Sequence, residues 1–399
     1  MHLVRDRAAE YGVVGVDPQK LSFDLAKAMA RKDRIVAWVH SGVYKTLDHN
    51  KNITFLRGQA EFSSPVELRV HGRVITVEKS ILATGSQAAP ASIPGLEQAG
   101  YITNNEALKM ERVPSSMIVI GAGYEGVEFA QMYARFGTRV TLLGRAPRVM
   151  PQAEPELSDM LGEILRAEGV DLHTSAEVVR AGGLNGSRYV MVREGGVERR
   201  YQAELLLVAV GRIARVEGLG LQQAGIEMRG PFVQANSELR TTRDNIWSIG
   251  DANGGAMFTH RATYDGPMAA LNAVKGIGRQ VDYRVVPWAV FTEPALASVG
   301  LTEAEAKQQG FAVKIGLADF ADSGRAKALG MTEGRVKLIV ETETERLLGG
   351  HILGPHADIL IHEVVTAMYQ HGTAESIAKS IHVHPTLSEV VKRAARSAR

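Results

Sequence analysis

Residues 117–126 read M-I-V-I-G-A-G-Y-E-G and carry the strongest structural signal in the chain. Its four leading apolar residues predict a buried parallel strand, because a strand covered on both faces needs no polar alternation. Gly121, Gly123 and Gly126 then follow with the spacing G-x-G-x-x-G. The first glycine allows a tight turn, the second lets the backbone approach a pyrophosphate, and the third lets the next helix pack closely on the strand. The stretch therefore predicts a dinucleotide site at a helix N-terminus.

The chain on either side predicts an α/β protein with a different kind of domain at its C-terminal end. Before residue 283, short apolar strands alternate with amphipathic helices, which is typical of nucleotide-binding units. After it, strands follow one another with a polar turn at residues 343–345, which predicts antiparallel pairing and an α+β domain. Helices are predicted over residues 21–47, 124–136, 157–168, 263–276, 357–370 and 388–395, and strands over residues 53–58, 67–70, 73–77, 79–83, 117–120, 139–143, 170–174, 189–193, 205–210, 245–249, 285–291, 311–320, 336–341 and 347–353.

The composition excludes several classes of function. The 399 residues are 45% apolar and 23% charged with a formal net charge of +2, so nothing favours binding to nucleic acid or insertion into a membrane. No apolar run is long enough to span a bilayer, and the charged first ten residues lack the apolar core of a signal peptide, so a cytoplasmic protein is expected. The chain has no cysteine, which excludes disulfides, thiolate metal sites and cysteine nucleophiles within it. No metal site is predicted.

The end of the next predicted strand indicates which coenzyme binds. Sites for NAD carry an acidic residue about twenty positions after the glycines, which holds the ribose 2′-hydroxyl, whereas sites for NADP carry a cation for the 2′-phosphate. Here residues 141–148 read T-L-L-G-R-A-P-R, with Arg145 and Arg148 and no carboxylate. Because an arginine fork grips a phosphate through charge-assisted hydrogen bonds, the sequence favours NADP over NAD. The alternative is a solvated loop that is basic without function.

Several short motifs follow one another along the chain. They are A-T-G-S at residues 83–86, G-A-G-Y-E-G-V-E at 121–128, V-G-R at 210–212, I-G-D at 249–251, F-T-E-P at 291–294 with S-V-G at 298–300, and H-V-H-P-T-L-S-E at 382–389. In this order, and over nearly the whole chain, they resemble the pyridine nucleotide–disulfide oxidoreductases, the flavoenzyme family of dihydrolipoamide dehydrogenase, glutathione reductase and mercuric reductase. The resemblance implies an α/β fold with FAD- and NAD(P)-binding domains, followed by an α+β dimerisation domain.

The resemblance also implies domain boundaries. Residues 1–104 would form the first, N-terminally incomplete part of the FAD-binding domain, and residues 105–235 the NAD(P)-binding domain. Residues 236–281 would complete the FAD-binding domain, and residues 282–399 would form the interface domain of a homodimer.

Roles of individual residues follow from the same resemblance. Thr84 and Gly85 would lie against FAD, and Asp251 would hold the ribitol side of the flavin. Tyr124 would lie over the flavin until nicotinamide displaces it, and Glu128 would pair with a lysine near flavin N5. Without the resemblance, the last three could be a turn residue at a strand end, a packed tyrosine at a helix start and a surface glutamate. The remaining implied cofactor positions are Gly211, Gly250, Phe258, Thr259 and His260.

His384 and Glu389 resemble the catalytic pair of the family. Glu389 would orient the imidazole so that His384 can shuttle a proton to a thiol leaving group. In the family this histidine reaches across the homodimer interface into the active site of the partner subunit. Without the resemblance, H-P-T is only the capped start of a helix, with Thr386 or Ser388 near the N-cap.

The chain departs from the family at its beginning. Family members start with another G-x-G-x-x-G unit and a Cys-x-x-x-x-Cys pair, and this chain has neither. Residues 1–15 resemble the family sequence just after the redox cysteines, so about 50 residues, the length of a βαβ unit with its loops, have no counterpart. A fragment or mis-started reading of a normal enzyme is favoured, because the remaining motifs would have no function without a flavin or thiols. The other explanation is a protein that has lost disulfide chemistry.

The expected function is that of an FAD-dependent NAD(P)H oxidoreductase resembling dihydrolipoamide dehydrogenase, with a small-molecule or protein-bound disulfide, a quinone or another electron acceptor. The run H-P-T-L-S-E favours this subfamily. Gly144 and Arg145 instead resemble glutathione and mercuric reductases, since dihydrolipoamide dehydrogenases normally carry glutamate at position 144 and use NAD. Glu125 stands where the family usually has an apolar residue. The alternatives are an NADPH reductase of the glutathione or mercuric reductase type, and a truncated, non-catalytic NADPH-binding protein.

Overall fold

The computed structural model describes residues 5, 7–15, 17, 20–184 and 186–398. The chain divides into two compact units. The first comprises Met1–Ala26, Ala91–Val210 and Arg284–Arg399, and the second comprises Lys27–Pro90 and Gly211–Tyr283.

Helices and strands alternate through most of the chain. The α-helices are α1 (Leu25–His49), α2 (Leu96–Ala99), α3 (Asn104–Ala107), α4 (Tyr124–Phe136), α5 (Pro155–Ala167), α6 (Leu221–Ala224), α7 (Thr259–Lys275), α8 (Glu303–Gln308), α9 (Gly324–Ala328), α10 (Ala357–Tyr369), α11 (Ala374–Lys379) and α12 (Ser388–Ser397). The strands are β1 (Ala60–Ser64), β2 (Glu67–Val70), β3 (Arg73–Thr76), β4 (Ser80–Leu82), β5 (Ser86–Ala88), β6 (Ser116–Ile120), β7 (Arg139–Leu143), β8 (Asp171–His173), β9 (Glu177–Leu184), β10 (Ser187–Glu194), β11 (Val197–Ala203), β12 (Leu205–Val208), β13 (Arg212–Ala214), β14 (Met228–Arg229), β15 (Phe232–Val233), β16 (Ile246–Ser248), β17 (Trp288–Val290), β18 (Ala295–Gly300), β19 (Val313–Asp319), β20 (Arg335–Glu341) and β21 (Leu347–Gly354).

The dinucleotide part of the first unit is a parallel sheet covered on both faces. Its strand order is β12–β6–β7–β8, and β6 is buried along its whole length. On one face, Val119 packs with Val127 of α4 and Leu161 of α5. On the other, Ile118 packs with Val190 of the antiparallel layer β11–β10–β9. The four apolar residues of the opening stretch therefore form a strand with no solvent face, as predicted, and α4 and β7 have the predicted bounds.

The C-terminal part of the first unit is a five-stranded antiparallel sheet with the order β17–β18–β21–β20–β19. Helices α10, α11 and α12 contribute Val364, Ile377 and Val391 to a core shared with Val336 and Ile352 of the sheet. The antiparallel pattern was predicted, but β18 was missed although it lies between two other strands. Its sequence, A-L-A-S-V-G, is rich in small residues of low strand propensity, and pairing with β17 and β21 overrides that preference.

The second unit contains the antiparallel layer β1–β2–β3, the parallel pair β16–β4 and helix α7. The strand predicted over residues 53–58 does not form, so that prediction is wrong. A strand needs a neighbour for its backbone hydrogen bonds. In the described part of this unit, β4 and β16 pair with each other and neither pairs with residues 53–58. Ile53, Phe55 and Leu56 consequently remain largely exposed.

Helix α1 carries an apolar stripe that is covered at one end and uncovered at the other. Leu25 is 2% exposed and Met29 is 9% exposed, but Ile35, Val39 and Val43 of the same stripe are 46%, 51% and 57% exposed. The helical spacing detected in the sequence is thus real, while its burial is confined to the first turns.

Truncating α1 at its two ends is expected to have unequal effects. Leu25→Ala removes a side chain from the core and is expected to lower the free energy of unfolding by about 2–4 kcal/mol. Val43→Ala removes an already solvated side chain and is expected to change it by less than about 0.5 kcal/mol. Urea unfolding measures both, and equal losses would contradict the partial burial of the stripe.

Candidate coenzyme and catalytic site

The three glycines after β6 have three different environments. Gly121 has a φ of +108°, and a Cβ there would lie closer than 3.0 Å to the carbonyl oxygen of Ala209. A Cβ on Gly126 would lie closer than 3.0 Å to the backbone of Gly121, so only glycine lets α4 pack this close to β6. Gly123, the N-cap of α4, has no atom within 4 Å of its Cβ position. The turn therefore leaves open space at Gly123, in front of the positive end of a 13-residue helix.

Arg145 and Arg148 lie in the loop that follows β7. The loop is fixed beside β8, because the Gly144 N–H donates to the carbonyl oxygen of His173 at 2.8 Å. Arg145 is exposed, and its guanidinium makes no hydrogen bond or ion pair with any residue that the structure describes. The Arg148 Nε instead donates to Asp159 Oδ1 at 2.8 Å. Arg145 is therefore the cation that remains available to a phosphate.

Tyr124 and Glu125 form the first turn of α4. Tyr124 packs edge-on against Trp288, with ring centroids 5.3 Å apart, and burial raises the pKa of its hydroxyl. Glu125, unexpected from the resemblance, has a physical place here. A carboxylate in the first turn interacts favourably with the helix dipole.

Glu128 lies one turn further along α4 and meets the segment after β17. Its Oε1 accepts a hydrogen bond from the Phe291 N–H at 2.8 Å. Burial is the main cause that raises the pKa of Glu128, and the negative charge of Glu125 adds to it. The carboxyl group is thus held at a fixed point between the helix and residues 291–294.

Glu128→Gln is expected to change the pH dependence of stability. Because the folded pKa of Glu128 is raised, its contribution is fully present below the unfolded pKa and is lost as the pH rises through the folded pKa. Glutamine keeps an oxygen for the Phe291 N–H but does not titrate. The variant should therefore gain free energy of unfolding relative to the unaltered protein between about pH 4 and about pH 8. Urea unfolding at both pH values checks this, and parallel pH profiles would contradict it.

Thr84, Gly85 and Asp251 lie in the second unit, just beyond the carboxyl ends of β4 and β16. The Ser86 hydroxyl donates to Asp251 Oδ2 at 2.5 Å and accepts from the Arg212 Nε at 2.7 Å. The Thr84 Oγ1 is buried and has no hydrogen-bond partner among the described residues. Gly85, at φ +70°, has no atom within 4 Å of its Cβ position. An unsatisfied hydroxyl, an open glycine and a carboxylate at strand ends fit the ribitol side of the FAD that the resemblance implies.

The other sequence-predicted residues of the second unit lie around the same strand ends. Gly211 has a φ of +124° with open space at its Cβ position, and Gly250, at φ +60°, begins the short helix that carries Asp251. Phe258 occupies the N-cap position of α7, and its ring stacks on that of His260 with centroids 5.3 Å apart. Thr259 is the exposed first residue of α7.

A buried network that the sequence analysis missed holds the Asp251 turn. The Gly250 N–H donates to Asp265 Oδ2 at 3.0 Å, and the Tyr283 hydroxyl donates to Asp265 Oδ1 at 2.7 Å. Arg261 Nη2 donates to Asn253 Oδ1 at 2.6 Å and to the Tyr283 hydroxyl at 3.1 Å. Burial and the Asp265 hydrogen bond raise the pKa of Tyr283 to about 12. The sequence does contain one signal of this network, because Arg261 and Asp265 are four residues apart in the chain and can therefore pair on one helix.

His384 and Glu389 pair at the start of α12. The His384 Nδ1 lies 3.0 Å from Glu389 Oε1, and the Thr386 N–H donates to Glu389 Oε2 at 3.0 Å. These hydrogen bonds, that of the Thr386 backbone first, lower the pKa of Glu389 and keep it ionised. The carboxylate fixes the Nδ1 side of the imidazole, while 81% of the His384 side chain remains exposed. The Nε2 atom is thus free to exchange a proton.

A second histidine–glutamate pair, which was not predicted from the sequence, holds the loop before His384. The His382 side chain is 7% exposed, and its Nε2 lies 2.7 Å from Glu363 Oε1 on α10. Burial is the largest cause that raises the pKa of Glu363, and the imidazole opposes it. The two histidines of H-V-H therefore point to different partners, one buried and one exposed.

The described residues offer neither a metal-binding cluster nor a membrane-spanning helix. No cluster of three or more histidine, aspartate or glutamate side chains suited to a metal ion was found there. None of the described helices combines the length and the apolar composition that a bilayer span requires.

Comparisons with known proteins agree over most of the chain. The model of the family described as pyridine nucleotide-disulphide oxidoreductase matches residues 14–275, and that of its dimerisation domain matches residues 286–395. The dihydrolipoyl dehydrogenase of Chlorobaculum parvum is 36% identical over 406 residues, 99% of this chain and 85% of that protein. The mercuric reductase of Bacillus cereus is 32% identical over 383 residues, 96% of this chain and 60% of that protein. Among solved structures, the HOCl-induced flavoprotein disulfide reductase RclA of Escherichia coli matches with a TM-score of 0.87 at 31% identity, covering 94% of this chain and 87% of that one.

Proposed function

The chain belongs to the pyridine nucleotide-disulphide oxidoreductase family and carries its dimerisation domain, and from this premise we propose that it is an NADPH-dependent flavoprotein oxidoreductase resembling dihydrolipoyl dehydrogenase. The proposal rests on the open space at Gly123 and on Arg145, whose guanidinium pairs with no residue that the structure describes. A pyrophosphate fits the first and a 2′-phosphate the second. Bound NADPH would supply a hydride and bound FAD would accept it.

The residues of the chain would perform distinct tasks in this function. Gly123 and the N-terminus of α4 bind the pyrophosphate, and Arg145 recognises the 2′-phosphate. Thr84 and Asp251 hold the ribitol side of FAD. His384, oriented by Glu389, exchanges a proton with the electron acceptor at its Nε2. The acceptor is a disulfide, a quinone or another oxidant.

The domain boundaries are part of the same proposal. The FAD-binding domain comprises residues 1–104 and 236–281, the NAD(P)-binding domain comprises residues 105–235, and the interface domain comprises residues 282–399.

We further propose that the protein works as a cytoplasmic homodimer. The dimerisation domain exposes large apolar side chains, with Ile359 63%, Val383 76% and Ile381 100% exposed. Apolar surface of this kind is typical of an interface. Sedimentation of the protein as a monomer at micromolar concentration would reject the dimer.

A second candidate, a non-catalytic NADPH-binding protein, is favoured by one observation. The chain has no cysteine and a single G-x-G-x-x-G, so it holds neither the redox thiols nor the adenosine half of a flavin site. One experiment separates the candidates. The purified chain is titrated with FAD and then mixed with NADPH and a quinone, an acceptor that needs no thiol. We expect flavin uptake and NADPH oxidation, whereas NADPH binding by a colourless protein that takes up no FAD would leave the second candidate.

A further inference from the structure

A buried lysine joins the dinucleotide part of the first unit to its C-terminal sheet. Lys337, on β20, is 2% exposed, and its Nζ lies 2.9 Å from Glu154, 2.8 Å from Glu303 and 3.1 Å from Glu156. Burial opposes the charged form, but the hydrogen bonds to Glu303 and Glu154 outweigh it and raise the pKa of Lys337. The ammonium is therefore charged at neutral pH, inside the protein, and surrounded by carboxylates.

Glu154 ends the loop that begins at Gly144. It is 1% exposed and occupies the N-cap position of α5 without a capping hydrogen bond from its side chain. Its Oε2 accepts a hydrogen bond from Lys337, and its Oε1 accepts one from the Glu303 N–H at 2.6 Å. Removing Lys337 would leave this carboxylate buried with only the His351 imidazole beside it, 3.8 Å from its Oε1, and burial lowers the pKa of that imidazole. A buried carboxylate without a charged partner costs more than the pair with Lys337 contributes. We expect Glu154 then to turn toward solvent and the first turn of α5 to shift with it.

The first five residues of α5 hold the loop that carries Arg145 and Arg148. The Ser158 hydroxyl donates to the carbonyl oxygen of Val149, and Asp159 holds Arg148. The Met150 N–H donates to the carbonyl oxygen of Ala122 at 2.8 Å, so the loop also rests on the glycine turn. An unbroken series of contacts thus runs from Lys337 to the coenzyme site.

Resting on the proposed NADPH function, we propose that Lys337 is a positioning residue for the 2′-phosphate site. By holding Glu154 it fixes the start of α5, and through α5 the loop that presents Arg145. Neither Lys337 nor Glu154 itself touches the phosphate. The C-terminal domain therefore sets the geometry in which the dinucleotide domain recognises its coenzyme.

The test uses the full chain with 2′,5′-ADP and 5′-AMP as calorimetric probes, and urea unfolding of every variant. Lys337→Met is expected to weaken 2′,5′-ADP binding about fivefold to tenfold and 5′-AMP binding less than about twofold. The double variant Glu154→Gln/Lys337→Met leaves neither charge buried alone, so it should regain stability but not the lost 2′,5′-ADP affinity. Lys314→Met is the matched control, because Lys314 lies on the same sheet in a more exposed pair with Glu345.

Other outcomes would reject either the positioning role of Lys337 or the NADPH assignment itself. Equal weakening of both probes by Lys337→Met, or recovery of 2′,5′-ADP affinity together with stability in the double variant, would show a merely structural role and overturn the proposal. If Lys337→Met does not fold, the 2′,5′-ADP affinity of the double variant decides between a positioning role and a merely structural one. If the unaltered protein binds 2′,5′-ADP more tightly than 5′-AMP and the variants keep the same preference, only the positioning role is rejected. An unaltered protein that binds 2′,5′-ADP no better than 5′-AMP rejects the NADPH assignment and the positioning role with it.

Discussion

Arg145→Glu is expected to abolish discrimination in favour of a 2′-phosphorylated coenzyme. Arg145 is exposed at the end of β7 and pairs with no described residue, so its five N–H donors are available to a phosphate. Hydrogen bonds to charged groups contribute about 1.5–3 kcal/mol each, and a carboxylate in the same place adds repulsion. The affinity for 2′,5′-ADP should fall about 100-fold, corresponding to about 2.8 kcal/mol.

Calorimetric titration with 2′,5′-ADP and 5′-AMP measures this effect without any flavin. The affinity for 5′-AMP should change less than about threefold, because that ligand lacks the 2′-phosphate. Arg139→Glu is the matched control, since Arg139 is an exposed arginine at the other end of β7 and the change in net charge is the same. Arg148→Ala should have a smaller effect than the loss of Arg145, because Asp159 already engages Arg148. Unchanged 2′,5′-ADP binding by Arg145→Glu would exclude a 2′-phosphate site at this loop.

Gly126→Ala and Gly123→Ala are expected to separate folding from coenzyme binding. At Gly126 the added methyl group would meet the backbone of Gly121, which cannot move aside as a flexible side chain can. Such overpacking costs about 1–3 kcal/mol, and displacement of α4 should weaken NADPH binding as well. At Gly123 the methyl group meets nothing in the protein, so stability should change by less than about 0.5 kcal/mol. It would occupy the space of the pyrophosphate, so NADPH affinity should still fall at least about tenfold.

Urea unfolding and calorimetric NADPH titration of the two variants provide the measurement. Gly42→Ala is the control, because Gly42 lies in the exposed part of α1 and its Cβ position is also open. It should leave NADPH binding unchanged and slightly raise the helix stability. The assignment of the pyrophosphate to Gly123 would be untenable if Gly123→Ala bound NADPH as tightly as the unaltered protein.

The local elements that carry strong periodic signals could be predicted from the sequence. Helix α4 and strand β7 have the predicted bounds, because Gly137 ends one with a left-handed turn and apolar residues bury the other. Two of the wrong strand assignments share one cause. Residues 53–58 have the pattern of a strand but pair with none in the described chain, while the small residues of β18 form a strand because two neighbours surround them. Strand formation depends on partners distant in sequence, which a local pattern cannot specify.

The family, the α/β fold with its dimerisation domain and the glycine turn could be assigned from the sequence, because their motifs are short runs of neighbouring residues. The folded structure shows which of the two loop arginines is available, since the partner of Arg148 lies on α5. It alone revealed Lys337, which in the run R-V-K-L-I-V-E resembles a solvent-facing residue. Its three carboxylates come from two other helix starts, and their meeting point is set by packing rather than by spacing in the chain.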